Sequence, residues 1–174
     1  MKLNTKILAF GVAASILASA GAAYAADQSV TANVDFETAL SLTKTDDIEF
    51  GYVEALTAGV YTISTAGTVS ASGIGDIVDD TTAQAGAITI TGSTTQTLSI
   101  STGTYAPNNG VTPSAAYCSY DGGSAWTCDT PATGLTAPGA GGLDLDVGVT
   151  ITADGTQAAG STATPTFVVT VIYG

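Results

Sequence analysis

The chain lacks residue types on which several classes of protein function depend. Its 174 residues contain no His and no Arg, and three Lys stand against fifteen Asp and Glu. Without His there is no Ser-His or Cys-His catalytic pair and no His-based metal site. With a net charge of −12, the chain cannot neutralise a row of phosphates, which removes the electrostatic basis for nucleic-acid binding. We therefore expect a protein that is not an enzyme, needs no cofactor or metal and binds no nucleic acid.

The N-terminus has the pattern of a secretory signal peptide. Lys2 and Lys6 precede an apolar run at 7–17, and small residues lead to an Ala-Tyr-Ala sequence that ends at Ala25. A membrane anchor is the alternative, but the run is short for a span of about 20 residues and no basic stop-transfer cluster follows. We predict a cleaved leader at 1–25, a single domain at 26–174 without a membrane span, and export from the cell.

Charge and hydropathy of residues 26–174 favour a packed, soluble domain. Lys44 is the single basic residue left after cleavage, so the side-chain charge becomes −14. Such a charge favours solubility and partners that are neutral or basic. The mean hydropathy of the whole chain is positive, whereas disordered segments are usually of low hydrophobicity.

Hydrophobic residues alternate in several short runs, which indicates β-strands with one buried face. In the clearest run, 143–151, the apolar side chains alternate with Asp144 and Asp146. The last run, 166–174, is apolar on both faces, so we expect a strand that is covered on both sides. The same alternation recurs in Val30, Ala32, Val34 and Phe36, in Ile88 and Ile90, and in Leu98 and Ile100. Because turn signals separate these runs and no helical period occurs, the predicted fold is all-β: one antiparallel β-sandwich.

Two cysteines, Cys118 and Cys128, enclose a turn signal at 121–123. In an exported chain such a pair is typical of a disulfide, and this one would close a hairpin. A redox or metal-binding pair is less favoured because the close Cys-x-x-Cys spacing is missing.

The clustered acids have an ordinary explanation. Asp144 and Asp146 fit the solvated face of a strand. The loop acids Asp76, Asp79 and Asp80 offer oxygen ligands of the kind that calcium prefers, but the spacing of an EF-hand is absent. No acid pair is marked out for glycoside hydrolysis, and no Gly-x-Ser-x-Gly elbow occurs.

Three aromatic residues, Tyr117, Tyr120 and Trp126, lie around the predicted hairpin. Exposed aromatics stack on sugars or anchor a protein partner. The competing interpretation is that they form a small satellite core over the hairpin. The sequence leaves both interpretations open.

Two segments together resemble a known family. The run from Leu40 to Gly51 has an apolar start followed by Asp-Ile-Glu-Phe-Gly, and 143–153 leads through Gly160 to a last strand that ends in Tyr173. Both are similar to the opening and closing sections of the secreted bacterial family called domain of unknown function 4402. The resemblance covers nearly all of residues 26–174, apart from the insertion that holds the two cysteines.

The closing section also resembles, more distantly, the pilin-like subunits of chaperone-usher systems, including the spore-coat U type. This resemblance implies that the sandwich is Ig-like or pilin-like. Those subunits carry a Gly about fourteen residues before the end and a penultimate Tyr, which Gly160 and Tyr173 match. The resemblance implies that a periplasmic chaperone binds the last strand, whose face is Phe167, Val169, Val171 and Tyr173. It also implies assembly at an usher by donation of an N-terminal strand to the next subunit, a form of β-augmentation.

The donor in that scheme would be the run of Val30, Ala32, Val34 and Phe36. This sequence departs from the pilin pattern, because its cysteines lie in a late hairpin and the segment before Phe50 is short for both a donor and a strand of its own. The same four residues are therefore equally well interpreted as the first strand of the chain's own sandwich.

These observations favour a secreted, non-enzymatic structural or surface protein of a bacterium, of the fimbria-like kind that self-associates by strand donation. It would reside in the periplasm or at the cell surface. The alternative from another functional class is a monomeric module that binds a glycan or a surface through Tyr120 and Trp126.

Overall fold

The computed structural model describes residues 28–174, and this part of the chain contains twelve β-strands and no helix. The chain divides into two units, Met1–Asp35 and Phe36–Gly174. Residues 28–35 are the described part of the first unit, and they form no strand. The predicted leader at 1–25 and its cleavage site lie outside the described residues.

All twelve strands belong to the second unit. In chain order they are β1 Ser41–Asp46, β2 Tyr52–Val53, β3 Ala58–Ile63, β4 Val69–Ser72, β5 Ile77–Asp79, β6 Gly86–Thr91, β7 Leu98–Ala106, β8 Val111–Tyr120, β9 Trp126–Thr127, β10 Ala132–Leu135, β11 Leu143–Asp154 and β12 Thr166–Tyr173.

Seven strands form the larger sheet, which is organised around β11. Strand β8 pairs along one edge of β11, while β6 and β3 share the other edge in succession. Strand β1 extends the sheet beyond β6, β4 extends it beyond β3, and β9 extends it beyond β8. Gly148 lies where the partner of β11 changes from β6 to β3. A Cβ atom at this glycine would lie 2.3 Å from the carbonyl oxygen of Ile63. The close approach of the two backbones therefore requires a residue without a side chain.

The second sheet has three strands in the order β10-β7-β12, and β2 and β5 form a separate pair. The inward faces of the two main sheets meet in a core that includes Leu98 and Ile100 of the smaller sheet, and Ile90, Leu145 and Val147 of the larger one. A second cluster around Tyr61 and Ile151 continues the core toward the opposite end. The prediction of an all-β antiparallel sandwich is confirmed.

The predicted hairpin and its disulfide are also present. Cys118 and Cys128 are bonded, with their Cα atoms 5.7 Å apart. Asp121 and Gly122 have φ values of 53° and 65°, and the Gly123 amide donates to the Tyr120 carbonyl at 2.9 Å. Positive φ at both central residues is the geometry of a type I′ turn, which suits a two-residue hairpin.

Two strand predictions require correction. The last strand is not covered on both sides, because its outward residues Val168 and Ile172 are 50% and 56% exposed. The smaller sheet has no layer over its outer face among the described residues. The run from Val30 to Phe36 is not the sandwich's first strand either, since residues 28–40 form no strand and β1 begins at Ser41.

Candidate functional site

A large open groove runs along one side of the sandwich. Its volume is about 1310 Å³. The floor is formed by the inward face of the larger sheet, with Ile88 from β6 and Val147, Val149 and Ile151 from β11. Phe167 and Val169 of β12 form one wall. We call this the side groove.

The side groove exists because the two sheets differ in width. Strand β12 is the last strand of the smaller sheet on this side, and it does not extend over β1 of the larger sheet. Leu42 therefore remains 40% exposed, although it lies opposite the buried Ile90 in the register of β1 and β6. A strand added beside β12 would cover the inward face of β1, since neighbouring strands lie about 4.8 Å apart.

The two edges that border the groove are protected to different degrees. Strand β1 carries Lys44 and Asp46, with a register shift between them, and both charge and bulges discourage pairing with a further strand. Strand β12 has the sequence Thr-Phe-Val-Val-Thr-Val-Ile-Tyr, with no charged residue. Within the described part of the chain it pairs with β7 alone. No strand among residues 28–174 therefore occupies the outer edge of β12.

Among residues 28–174, the most exposed apolar run precedes the first strand. Val30 is 89% exposed and Phe36 is 92% exposed, and Val34 also lies largely in solvent. The alternation of these side chains with Thr31, Asn33 and Asp35 gives the run one apolar face. A segment with this pattern would need a sheet edge to form a strand and bury that face.

A hydrogen-bonded cluster fixes the chain directly after this run. The Glu37 carboxylate accepts hydrogen bonds from the Ser93 hydroxyl at 2.6 Å and from Thr95 and Gln96 at 3.2 Å each. These donors, with that from Ser93 the largest cause, lower the pKa of Glu37. The Tyr173 hydroxyl donates to the carbonyl oxygen of Thr38 and accepts from the Ser93 amide at 2.7 Å. We call this the Glu37–Tyr173 cluster.

The cluster gives the predicted terminal-strand residues a structural role. Phe167, Val169, Val171 and Tyr173 all face inward on β12 and pack against the core. Gly160 lies in a turn before the strand with a φ of 80°. The penultimate tyrosine therefore connects the last strand to the segment that enters β1, a contact that sequence reasoning did not predict.

The predicted recognition aromatics do not form one surface. Tyr120 is buried and its hydroxyl donates to the Thr136 carbonyl at 3.0 Å. Burial, with a smaller effect of Asp121, raises the pKa of Tyr120 to about 12. Trp126 packs half-buried against the core, so these two residues fit the satellite-core interpretation. Tyr117 faces the other way and lines a small apolar pocket of about 160 Å³ on the outer face of the larger sheet.

The acids behave as solvated or turn-forming groups. Asp144 and Asp146 lie on the outward face of β11, as predicted, and Asp144 accepts a hydrogen bond from Thr89 at 2.8 Å. Partial burial and the neighbouring Asp144 raise the pKa of Asp146. Asp79 accepts from the Thr81 amide at 2.9 Å, and this bond lowers the pKa of Asp79. In residues 28–174 no three His, Cys, Asp or Glu side chains are grouped to hold a metal ion, and no helix there is long and apolar enough to cross a bilayer.

The Phe-Gly sequence after β1 has a clear packing role. Phe50 packs against the core cluster around Tyr61. Gly51 has a φ of 75°, and a Cβ atom there would lie 2.3 Å from the Asp79 carbonyl oxygen. The Phe50-Gly51 sequence therefore lies beside the groove, where its backbone closely approaches the backbone at Asp79.

Comparison with known proteins identifies the family of the chain. No curated protein and no solved structure matches the chain significantly. The family model described as domain of unknown function (DUF4402) matches residues 40–173, from the start of the Leu40–Gly51 motif to the penultimate tyrosine. The likeness to chaperone-usher subunits stays a prediction. The chain belongs to the DUF4402 family.

Proposed function

We propose that the protein is a secreted, non-enzymatic structural subunit that assembles by strand donation. In this proposal, the run from Val30 to Phe36 of one copy pairs with the outer edge of β12 in a second copy. Its apolar side chains then fill the side groove of that copy.

The open edge of β12 carries the proposal. An uncharged edge strand is an aggregation hazard that natural proteins cover or interrupt. In β12 the register shift lies at the start of the strand, between Thr166 and Val168, and the residues from Val168 to Tyr173 pair regularly with β7. Here the edge borders a groove whose floor is apolar, so a strand that binds there gains both backbone hydrogen bonds and side-chain burial.

The donor run fits the groove in length and pattern. Seven residues from Val30 to Phe36 extend over roughly 23 Å, and the eight residues of β12 over roughly 26 Å, at about 3.3 Å per residue. One face of the run is entirely apolar and the other carries polar residues, as expected of a strand with one face on a core and one in water.

Export is supported by the disulfide and the N-terminal pattern. Disulfides persist in oxidising compartments and are rare in the cytosol of most bacteria. The Cys118–Cys128 bond thus agrees with a periplasmic or cell-surface location, which we propose together with cleavage of residues 1–25.

The proposal is tested with the chain from residue 26 and a variant that lacks residues 26–36. Light scattering after size exclusion should show oligomers for the longer chain and monomers for the variant. Glu37 is retained so that the Glu37–Tyr173 cluster stays complete. A longer chain that stays monomeric at every concentration would contradict donation between copies, and so would a variant that still assembles.

A synthetic peptide of residues 26–36 should bind the shortened variant. Replacing Phe36 by Ala in the peptide should weaken binding about 30-fold, because burying the phenyl ring contributes roughly 2 kcal/mol. Replacing Asn33 by Ser, on the polar face, should change binding less than about twofold. Equal effects of the two replacements would contradict the assigned face.

A glycan- or surface-binding module remains the second candidate, now with Tyr117 in place of Tyr120 and Trp126. It is favoured by the outward pocket that Tyr117 lines with Thr62, Ser64 and Ala125. Loss of binding to a glycan array on Tyr117→Ala, with a monomeric wild type, would favour this candidate over strand donation.

A further inference from the structure

Four large apolar side chains form an exposed surface at one end of the sandwich. They belong to β2, to β5 and to the loops beside them, and they are between 66% and 78% exposed: Tyr52, Leu56, Ile74 and Val78. We call this surface the apolar tip. Soluble monomers seldom group exposed apolar residues in this way without a binding function.

Leu56 buries little side-chain surface within the subunit, because it is 71% exposed. Its φ is 57°, in the left-handed region that disfavours residues with a branched or bulky side chain. Its amide donates to the Gln157 carbonyl at 2.9 Å, which fixes the loop. An Asn or Gly would adopt this conformation with less strain, so a leucine that is both strained and exposed points to contact with a partner.

The apolar tip lies at the mouth of the side groove. Tyr52 and Val78 line the groove. Strand β12 also begins at this end. Its first residue, Thr166, pairs with Ala106, which is the last residue of β7, and a short turn leads from Ala106 into β8. The Glu37–Tyr173 cluster lies at the other end, where β12 finishes.

The direction of the donated strand determines which part of a second copy meets the tip. All nine strand pairs of the sandwich are antiparallel, and antiparallel pairing is the more stable arrangement. A donor that runs antiparallel to β12 reaches Phe36 at the Thr166 end. Glu37 is the next residue, so the end of the donor copy that holds its Glu37–Tyr173 cluster then lies beside the apolar tip.

The loops of the donor copy that would face the tip carry no charge of their own. Around the Glu37 carboxylate, the loops at 91–97 and 136–142 contain no charged residue, and Glu37 itself accepts three hydrogen bonds from Ser93, Thr95 and Gln96. The tip carries Glu54 and Asp76 beside its apolar side chains. Uncharged loops approach these two acids with less repulsion than a strongly acidic surface would meet.

We propose that the apolar tip of one copy docks against the 91–97 and 136–142 loops of the copy that donates its strand. The subunits would then stack end to end with direct contact between their bodies. This inference depends on the proposed strand donation.

The test uses the complete chain from residue 26 and compares Leu56→Asn with the control Thr133→Asn. Thr133 is exposed and lies on β10, at the opposite edge of the smaller sheet from β12. Sedimentation gives the critical concentration for assembly, and thermal unfolding of the monomer gives its stability. Leu56→Asn should raise the critical concentration about tenfold with an unchanged or higher Tm, whereas Thr133→Asn should leave the critical concentration within about twofold.

The outcomes separate this inference from strand donation. Assembly of Leu56→Asn at the wild-type critical concentration would overturn the docking contact while strand donation stands. A wild-type chain that does not assemble, and whose shortened form does not bind the 26–36 peptide, would overturn both. If Leu56→Asn lowers the Tm, Ile74→Ser replaces it, because the Ile74 side chain is 78% exposed and the same rise in critical concentration is expected.

Discussion

Replacing Tyr61 by Phe should stabilise the protein, although Tyr61 is completely buried. Its hydroxyl has no hydrogen-bond partner among the described residues. It lies against Gly59 and Gly75, where an added Cβ would be 2.7 Å and 2.2 Å away from it. Burial, with smaller effects of Glu54 and Asp76, raises the pKa of Tyr61, as expected of a phenol in an apolar site.

The expected gain in stability of Tyr61→Phe follows from the cost of a buried unpaired polar group, which is about 1–3 kcal/mol. Phe retains the ring and its packing and removes that cost, so the free energy of unfolding should rise by about 1 kcal/mol. For a domain of this size the Tm would increase by roughly 3 °C. Urea unfolding at neutral pH with unchanged m values would measure the difference.

Tyr120→Phe is the matched control. Tyr120 is also buried, but its hydroxyl donates to the Thr136 carbonyl at 3.0 Å. Removing that donor leaves the carbonyl unpaired, so stability should fall by about 1 kcal/mol. The two variants are therefore expected to change stability in opposite directions. A loss of stability in Tyr61→Phe equal to that in Tyr120→Phe would refute the reasoning, since it would mean that the Tyr61 hydroxyl is paired in solution.

Three further predictions concern the body of the sandwich. Gly148→Ala should lower the free energy of unfolding by about 1–3 kcal/mol because the methyl group would meet the backbone of β3, whereas Gly103→Ala, with open space around it, should change it little in the same urea assay. The pKa of Glu37 is lower in the folded protein than its usual 4.5, so its contribution to stability is complete above that pH and lost as the pH falls through the folded value. The Tm difference between wild type and Glu37→Gln should accordingly shrink from pH 6 to pH 3, and a constant difference would argue against the cluster. Reduction of the Cys118–Cys128 bond should cost about 3 kcal/mol by chain entropy, and an unchanged urea midpoint in reductant would contradict this figure.

The strands that the sequence predicts best are those whose pattern is set within one segment. The alternation from Leu143 to Ile151 reappears as β11, with the two acids in solvent, because a period of two places successive side chains on opposite faces. The Asp121-Gly122 turn and its disulfide are likewise local. Turn chemistry and a short covalent loop determine such features without reference to the rest of the chain.

Long-range features could not be predicted in this way. The sequence of β12 is apolar on both faces, a pattern typical of a strand inside two layers. It occurs here because one face packs on the core and the other lies on the outside of a sheet with three strands. The number of strands in each sheet depends on pairing between distant segments, so it cannot be inferred from the sequence of any single segment. The side groove depends on that difference in width, so it could not be predicted either.

The N-terminal run shows what an alternating pattern does and does not determine. Alternation from Val30 to Phe36 fixes which side chains share a face, but it carries no information about which sheet edge receives that face. Within the described unit that follows, β1 already pairs with β6 from Ser41 onward, and the Glu37–Tyr173 cluster holds the chain just before it. The apolar face of the run from Val30 to Phe36 is exposed, and nothing in its own sequence selects an edge for it. Among the described residues, the uncharged edge of β12 is unpaired on its outer side and borders the groove with an apolar floor. An exposed amphipathic segment and an unpaired edge are each unfavourable in water alone, and the strand donation that we propose would remove both costs together.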